Sequence, residues 1–252
     1  MTSIDIPEGL VGHVRDANHI VVLTGAGVSA ESGIPTFRDA MDGLWAKYDP
    51  MELATPEAFN RDPELVTAWY DDRRVKCAAC RPNPGHIALA ALERELVNAG
   101  RRFDLITQNV DRLHHQAGSE RVIEIHGTLW LWRCIECGKE SEERQVPFES
   151  HPLYCDCGGL RRPGVVWFGE NLPLKAIRDS DKALNACDLF ISIGTSAVVY
   201  PAAGFIHTAR SHGAATAEIN LDPTPITGDV DWAVHGPSAK VLPRLIELAF
   251  GR

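Results

Sequence analysis

A glycine-rich loop directly after a short apolar run constrains the fold of this chain more than any other feature. Residues 19–24 read HIVVLT, which predicts a buried strand, and GAGVSA follows at 25–30. Gly25, Gly27 and Ala30 match the G-x-G-x-x-G/A pattern, whose glycines let the backbone approach a pyrophosphate at a helix N-terminus. The loop therefore favours a dinucleotide-binding sheet, and an ordinary tight turn is the alternative.

Strand and helix patterns alternate along most of the chain. Further buried strands are predicted at 104–107, 189–193 and 217–219, and helices at 87–98, 175–185, 201–211 and 242–250. This alternation is typical of a parallel sheet covered by helices on both faces. The predicted fold class is therefore α/β, with a Rossmann-like sheet domain.

Two stretches interrupt the alternation and predict a second, smaller lobe. Residues 39–83 form a helical insertion that carries aromatic side chains, and residues 127–163 form an insertion that contains four of the seven cysteines. The large domain then comprises residues 1–38, 84–126 and 164–252. A chain of 252 residues is long enough for one large domain with such a satellite.

Composition and charge exclude several classes of protein. With 44% hydrophobic and 23% charged residues, the chain has an ordinary globular composition and is too apolar for a disordered one. Its net charge of −9, from 25 basic and 34 acidic side chains, argues against nucleic-acid binding, which favours basic surfaces. The acidic balance is compatible with basic protein partners.

The N-terminus and the apolar runs predict a cytoplasmic protein without a membrane partner. Residues 1–7 have neither the basic nor the apolar region of a secretion signal. The uncharged stretch at 189–206 contains Gly194 and Pro201, so a strand, a polar turn and a helix start explain it better than a membrane span. A monomer is the favoured oligomeric state.

Four cysteines have the spacing of a structural zinc site. Cys134 and Cys137 form a C-x-x-C pair, and Cys155 and Cys157 form a tighter C-x-C pair after a short spacer. Seven cysteines without a secretion signal indicate a reducing compartment, which favours metal binding over disulfides. Four thiolates close a tetrahedron around zinc and leave no open position, so this zinc would hold structure. Four incidental thiols are the alternative.

The other three cysteines have weaker signals. Cys77 and Cys80 form a C-x-x-C without a second pair, which favours a helix-end or loop position over redox or metal duty. Cys187 lies between a helical pattern and an apolar strand, and we expect it to be buried.

Polar side chains follow the predicted strands at the edge where open α/β sheets bind ligands. Gln108, Asn109 and Asp111 come directly after the strand at 104–107, and His126 follows a later apolar run. A lone histidine is more often structural than catalytic. Convergence with the three polar residues at one sheet edge would make His126 a candidate general base.

Two later strand ends suit a ribose and a phosphate, but one expected residue is missing. Gly194, Thr195 and Ser196 follow one strand, and Asn220 ends the next. A dehydrogenase with this sheet would place an acidic residue at a strand end about 20 residues after the glycine loop. Residues 44–49 stand at that distance and do not resemble a strand end. Hydride transfer is therefore disfavoured.

Five segments carry the longest motifs of the chain. They are GAGVSAESGIPTFR at 25–38, TQNVD at 107–111, HG at 126–127, VVWFGE at 165–170 and GTS at 194–196. Together with the zinc cysteines, their order and spacing resemble the sirtuins, the NAD-dependent protein deacylases, from about residue 18 to residue 248. The resemblance implies cleavage of the nicotinamide–ribose bond of NAD, with acylated lysines of proteins as substrates. The implied products are nicotinamide, 2′-O-acyl-ADP-ribose and free lysine.

The resemblance also implies roles for individual residues. His126 matches the general base that acts on the ribose hydroxyls, and Asn109 and Asp111 match residues around the nicotinamide and its ribose. Ser29 and Arg38 match residues that position the cofactor for catalysis. The further implied cofactor contacts are Gly25, Ala26, Gly27, Ala30, Phe37, Gln108, Gly194, Thr195, Ser196, Asn220, Leu221 and Ser238.

The preferred acyl group is also predicted under this resemblance. Val166 and Phe168 look like walls of an apolar tunnel for a lysine side chain. Tyr70 and Arg73 are three residues apart, so on a helix they share a face, where a phenol and a guanidinium can bind a carboxylate. With Ala54 widening the pocket, they resemble the sirtuins that remove succinyl and malonyl groups. Acetyl removal is expected as well, and a solvated helix face is the alternative for Arg73.

Three other functions stay open at the level of sequence. A sirtuin-like mono-ADP-ribosyltransferase would use the same NAD pocket, although Asn109, Asp111 and His126 together favour deacylation. A Rossmann dehydrogenase would release no nicotinamide. A non-catalytic binding module would tolerate replacement of the pocket residues.

Overall fold

The structure, a computed structural model, describes residues 4–36 and 48–251 of the chain. The strands within these residues are β1 (His19–Thr24), β2 (Arg102–Thr107), β3 (Val122–Glu124), β4 (Gly127–Cys134), β5 (Glu140–Glu142), β6 (Leu153–Tyr154), β7 (Leu160–Val165), β8 (Leu189–Ile193), β9 (Ala215–Asn220) and β10 (Trp232–His235). The helices are α1 (Glu8–Asp16), α2 (Gly27–Ala30), α3 (Pro50–Leu53), α4 (Pro56–Arg61), α5 (Pro63–Ala79), α6 (Pro84–Asn98), α7 (Leu113–Ala117), α8 (Leu174–Leu184), α9 (Phe205–Ser211) and α10 (Ser238–Phe250).

Six strands form one parallel sheet in the order β10-β9-β8-β1-β2-β3. β1 pairs with β2 in a register that joins His19 to Arg102 and Thr24 to Thr107, and its other edge pairs with β8. The strand order therefore reverses between β1 and β8. Ligands of Rossmann-like sheets bind beyond the carboxyl ends of the strands at such a reversal. The predicted fold class is confirmed.

The central strand is buried at every position because helices cover both faces of the sheet. Ile20 and Val22 join an apolar core that includes residues of α1, α6 and α10, whereas Val21 and Leu23 join a second core with α8 and α9. Successive side chains of a strand point to opposite faces, so a strand covered on both faces has a continuous apolar sequence. Each fully buried aliphatic side chain contributes about 1.5–3 kcal/mol to folding.

The predicted division of the uncharged stretch at 189–206 is also found. It comprises β8, a loop with a 3-10 turn at Ala202–Gly204, and the first residues of α9. Across residues 4–36 and 48–251, no helix combines the length and the apolarity needed to cross a bilayer.

Several elements of the large sheet domain were not predicted, among them α1, α7 and β10, and others, α10 among them, begin earlier than predicted. α1 contains Gly9 and Gly12, which have low helix propensity, and it is stabilised by the complete burial of Leu10 and Val14. β10 is a short edge strand. α10 begins at residue 238, four residues before the predicted start, because the Glu31 carboxylate accepts a hydrogen bond from a backbone N–H in its first turn.

The second lobe consists of an antiparallel sheet, in the order β5-β4-β7-β6, and the helices α3, α4 and α5. One apolar cluster joins them, in which Phe59, Trp69 and Tyr70 pack with Trp132 of β4 and with Trp167 after β7. This sheet was not predicted, because β5 has three residues, β6 has two, and neither has a buried residue. The helical and cysteine-bearing insertions share this core, and their limits at 39–83 and 127–163 stay a prediction.

Candidate active site

Two glycine-containing loops meet at the reversal point of the large sheet. Gly27, after β1, donates its backbone N–H to the carbonyl oxygen of Gly194, after β8, over 2.8 Å. A Cβ atom at Gly25 or Gly27 would lie 2.8 Å from backbone atoms of the β8 loop. Gly194 has a φ of 58°, a conformation that glycine adopts without strain. Ala26 directly precedes α2, and Ala30 is its last residue; this helix is a single turn. The loop predicted to bind a pyrophosphate is therefore shaped by backbone-to-backbone contact.

Ser29, Asn109 and Asp111 form one buried hydrogen-bonded cluster beside this loop. The Ser29 hydroxyl donates to Asp111 Oδ2 over 2.7 Å and accepts from Asn109 Nδ2 over 3.1 Å. Asn109 Nδ2 also donates to the Gly25 carbonyl oxygen over 3.0 Å, which ties the end of β2 to the loop after β1. Burial raises the pKa of Asp111, although hydrogen bonds from Leu113 N–H and Ser29 oppose the shift.

His126 lies at the same sheet edge with a defined tautomer. Its Nδ1 lies 3.1 Å from the Gln108 carbonyl oxygen. A carbonyl oxygen can only accept, so the neutral imidazole carries its proton on Nδ1 and its lone pair on Nε2. Burial lowers the pKa of His126 below 6.5, so the ring is neutral at pH 7. A neutral imidazole with its lone pair on Nε2 is able to act as a general base.

Gly127 fixes the position of this histidine. Its φ is 71°, and a Cβ atom there would collide with the carbonyl oxygen of Gly164 on β7. β4 and β7 therefore approach each other closely directly after His126, which only glycine permits.

The polar residues after β2, β8 and β9 are joined by hydrogen bonds. Gln108 Nε2 donates to Thr195 Oγ1 over 3.0 Å, and Asn220 Nδ2 donates to the Thr195 carbonyl oxygen over 2.9 Å. Ser196 is half-buried beside them, and Leu221 is exposed. The structure thus brings together the residues predicted for the adenosine side, at the ends of three strands.

Ser238 is joined to the end of the glycine loop by an acidic residue, Glu31, which directly follows α2. Its hydroxyl donates to Glu31 Oε2 over 3.3 Å, and the same oxygen accepts the backbone N–H of Ala239 over 2.8 Å. The other two predicted cofactor contacts, Phe37 and Arg38, lie outside the described residues, and their roles stay predictions.

The segment after β7 connects the histidine to the helical insertion. Val166 donates its backbone N–H to the His126 carbonyl oxygen, and Phe168 donates to the Ala54 carbonyl oxygen, both over 2.9 Å. These two backbone hydrogen bonds place Val166 and Phe168, the predicted tunnel walls, between the candidate base and Ala54. Trp167 is buried in the core of the second lobe, and Phe168 is partly exposed in the turn that follows.

Tyr70 and Arg73 lie one turn apart on α5, as the spacing predicts. Tyr70 is buried, and its oxygen accepts a hydrogen bond from Trp167 Nε1 over 2.8 Å. Burial raises the pKa of Tyr70 to about 12, and the positive charge of Arg73 opposes this shift. Arg73 itself is half-buried, with Cζ 5.1 Å from the centroid of the Trp69 ring. A phenol that is protonated at neutral pH and a guanidinium therefore lie one turn apart on one helix face.

Two residues of the site were missed by sequence reasoning. His86 Nε2 lies 3.4 Å from Ser29 Oγ, and its ring packs against His114 with 4.7 Å between centroids. Burial lowers the pKa of His86 to about 4, so it is neutral beside the serine. A histidine on the buried face of α6 carries no sequence signal of this role, because its apolar neighbours indicate only core. Trp167 stands inside the VVWFGE motif, but spacing does not reveal its contact with Tyr70.

The four predicted zinc ligands form one cluster in the second lobe. The Sγ atoms of Cys134, Cys137, Cys155 and Cys157 all lie within 4.8 Å of one another. Sulfur–sulfur distances are 3.5 Å for Cys134–Cys157 and 3.7 Å for Cys137–Cys155. Thiolates bound to tetrahedral zinc stand about 3.8 Å apart, given a Zn–S distance of about 2.3 Å. The donor set and its spacing therefore fit a structural zinc ion.

Two glycines make the C-x-C spacing compatible with this cluster. Gly158 has a φ of 86°, and its backbone N–H donates to the Cys155 carbonyl oxygen over 2.9 Å. A Cβ atom at Gly159 would lie 2.9 Å from the Cys134 sulfur. Both positions therefore need glycine.

The remaining cysteines lie where the sequence predicts. Cys77 belongs to the last turn of α5, and Cys80 follows directly after this helix. Cys187 is buried.

Removal of the metal is expected to unfold the second lobe. In Cys157→Ser, bound zinc should fall from one equivalent to well below one, because three sulfurs cannot close the tetrahedron. If the change lowers the free energy of unfolding by about 3 kcal/mol, Tm should fall by roughly 6–12 °C. Zinc content by mass spectrometry and Tm by calorimetry measure both effects. Cys80→Ser, outside the cluster, is the matched control, and full zinc content in Cys157→Ser would contradict the site.

Comparisons with known proteins agree on one family. A family model described as the Sir2 family matches residues 25–201. A protein of Aquifex aeolicus (strain VF5) named NAD-dependent protein deacylase is 53% identical over 214 residues, which cover 84% of this chain and 87% of that protein. The mitochondrial NAD-dependent protein deacylase sirtuin-5 of Canis lupus familiaris is 43% identical over 254 residues, and the match covers 91% of this chain and 81% of that protein.

Solved structures give the same result at the level of the whole chain. A crystal structure of a Sir2 homologue in complex with NAD is similar with a TM-score of 0.91 and 44% sequence identity, and the match covers 99% of this chain and 96% of the other. A Sir2 homologue in complex with ADP-ribose is similar with a TM-score of 0.90 and 44% identity. The family match extends over more than half of the chain, and the relatives match most of it. The chain therefore belongs to the Sir2 family, the sirtuins.

Proposed function

We propose that this chain is an NAD-dependent deacylase of protein lysines that prefers negatively charged acyl groups, such as succinyl and malonyl, and also removes acetyl groups. The observation that carries the proposal is the meeting of four side chains at the reversal point of the sheet. Asn109 and Asp111 each form a hydrogen bond with Ser29, and His126 is held at the same sheet edge by the Gln108 backbone. Relatives named NAD-dependent protein deacylase support the same activity.

The residues present fit NAD as a co-substrate. The glycine loops after β1 and β8 would hold its pyrophosphate, and Gln108, Thr195 and Asn220 would face its ribose and adenosine groups. Bound NAD would supply the anomeric carbon that nicotinamide leaves and that the acyl oxygen attacks, and the ribose 2′-hydroxyl on which the acyl group ends. The Ser29 hydroxyl orients Asp111 and Asn109 through its two hydrogen bonds. His126 Nε2 holds the lone pair that removes a proton from a ribose hydroxyl.

The acyl preference rests on the burial of Tyr70 and the charge of Arg73 in the second lobe. Tyr70 keeps its proton because burial raises its pKa to about 12, so it can donate a hydrogen bond to a carboxylate at any working pH. Arg73 adds a positive charge beside it, and an arginine–carboxylate pair can form two parallel hydrogen bonds. An acyl group ending in a carboxylate is therefore the substrate class that this pocket favours.

Two matched peptides test the proposal. The purified protein is incubated with NAD and one lysine peptide in acetylated or succinylated form, and nicotinamide and free lysine peptide are measured by mass spectrometry. We expect equimolar release of both products and faster turnover of the succinyl peptide. Acetyl removal alone would eliminate the charged-acyl preference. Nicotinamide release with a mass gain on a protein and no free lysine would identify an ADP-ribosyltransferase instead.

The acid limb of the pH–rate profile is expected to lie below pH 6.5. Burial lowers the pKa of His126 from 6.5, so the base stays neutral until the pH falls through this lowered value. Below it the imidazolium has no lone pair, and kcat/KM declines with falling pH. The acetyl peptide is the appropriate substrate, since its acyl group does not titrate. A midpoint at or above pH 6.5 would contradict the assignment of this limb to a buried His126.

A further inference from the structure

The hydrogen bond between Trp167 and Tyr70 has a direction that the donor chemistry fixes. Trp167 Nε1 lies 2.8 Å from the Tyr70 oxygen, and both side chains are buried. An indole N–H can only donate, so the Tyr70 oxygen is the acceptor. The hydrogen of the Tyr70 hydroxyl must then point away from Trp167, where it is available to another acceptor.

Trp167 is held in place on several sides. The Arg162 guanidinium lies over its ring, with Cζ 3.3 Å from the centroid. Glu170 accepts hydrogen bonds from the Trp167 backbone N–H over 2.9 Å and from Arg162 over 2.5 and 2.8 Å. The Phe59 ring packs against the indole with 5.4 Å between centroids. A side chain fixed in this way presents its N–H in one direction.

The acceptor role changes what Tyr70 can offer to a ligand. A free phenol hydroxyl rotates and can accept or donate, whereas a phenol whose oxygen already accepts a strong hydrogen bond is left mainly with its donor function. Hydrogen bonds in a chain also polarise one another, so accepting from Trp167 makes the Tyr70 O–H a stronger donor. Arg73, one turn along α5, is a donor and a positive charge on the same helix face.

We propose that Trp167 is a positioning residue for acyl-group selection, which directs the Tyr70 hydroxyl, as a donor, toward a carboxylate at the end of the acyl group. The inference rests on the proposed charged-acyl preference and adds a residue outside the Tyr70–Arg73 pair. It predicts that the indole N–H, and not only the bulk of the ring, contributes to the discrimination between charged and uncharged acyl groups.

The test compares two acyl groups of equal chain length. Succinyl-lysine and butyryl-lysine peptides of one sequence differ in the terminal carboxylate, so the ratio of their kcat/KM values isolates its recognition. In Trp167→Phe this ratio should fall about tenfold, mainly through a higher KM for the succinyl peptide, because the hydrogen bond to a charged group is weakened. Trp132→Phe is the matched control. Trp132 lies in the same core, but its N–H donates to the Leu129 carbonyl oxygen over 3.1 Å. Its replacement should lower stability and leave the ratio unchanged.

A second pair of measurements removes the effect of lost volume. In a Tyr70→Phe background, Trp167→Phe should not change the ratio further, because the coupled partner is already absent. Replacement of Trp167 by 3-benzothienylalanine keeps the two-ring shape and replaces the N–H by sulfur, and it should lower the ratio as Trp167→Phe does. This variant decides the question if Trp167→Phe loses its zinc or its cooperative unfolding.

The outcomes separate the inference from the proposed function. A wild-type enzyme without a succinyl over butyryl preference would overturn the charged-acyl preference and this inference with it. A wild-type preference that persists in Trp167→Phe and in the benzothienyl variant would overturn the inference alone. An equal fall of the ratio in the presence and absence of the Tyr70 hydroxyl would show that Trp167 acts by another route.

Discussion

Replacement of His126 by asparagine is expected to abolish turnover while the fold and the zinc site persist. The asparagine amide can still donate to the Gln108 carbonyl oxygen, which His126 Nδ1 contacts over 3.1 Å. It has no basic nitrogen lone pair, so it cannot take a proton from a hydroxyl. A general base contributes about 10²- to 10⁴-fold to rate, and we expect kcat to fall by that factor, as it should in His126→Ala. Nicotinamide release under saturating NAD and peptide measures the loss.

The matched control separates this effect from the loss of any histidine. His212, which follows α9, is exposed, and its Nδ1 lies 3.0 Å from the Thr208 carbonyl oxygen of that helix, so His212→Ala should retain wild-type kcat. Zinc content and Tm must be unchanged in His126→Asn for the comparison to hold. Near-wild-type turnover in that variant would remove His126 from the role of base.

Replacement of Arg73 by methionine is expected to reduce desuccinylation far more than deacetylation. Methionine keeps much of the length and apolar contact of arginine but removes the charge and its donors. Charge-assisted hydrogen bonds to a carboxylate are worth about 2–3 kcal/mol, which corresponds to about 30- to 150-fold in kcat/KM for the succinyl peptide. The acetyl peptide has no carboxylate on its acyl group, so its kcat/KM should change by much less.

A lysine one turn along the same helix provides the control for Arg73. Lys76 pairs with Asp72 over 3.2 Å near the surface of α5, and Lys76→Met removes one positive charge without touching the pocket residues. We expect both peptides to be turned over at wild-type rates in this variant. Equal losses on the two peptides in Arg73→Met would remove Arg73 from acyl recognition and return it to a structural role.

The large sheet could be predicted from the sequence because its central strands are buried on both faces. β1 and β8 have the predicted limits, His19–Thr24 and Leu189–Ile193, and every residue of each is buried. The second sheet could not be predicted, because β5 and β6 are short and lack buried residues, so neither gives a periodic pattern. α1 escaped prediction because its two glycines lower its propensity, and tertiary burial of one face compensates.

In the candidate site, too, some residues could be predicted from the sequence and others could not. Asn109 and Asp111 were predicted from their place after a strand, and the structure brings them to Ser29 across 80 and 82 residues of chain. His86 was not predicted, although it lies 3.4 Å from the same serine. Its role depends on how α6 packs against the loop after β1, and sequence spacing carries no information about that packing.

The sequence by itself determined the chemistry that the chain has available. The glycine pattern after a buried strand, the four spaced cysteines and the ordered motifs already indicated the sirtuin family, which the comparisons confirm. These signals depend only on the identity, order and spacing of residues along the chain.

Only the tertiary structure decided how these groups are oriented. It placed the proton of His126 on Nδ1, brought four sulfurs within 4.8 Å, and directed the Trp167 N–H to Tyr70 across 97 residues of sequence. Hydrogen-bond direction and metal geometry depend on distances of about 3 Å between atoms from different elements. Such distances are set by the packing of helices and sheets, and the order of residues along the chain does not specify them directly.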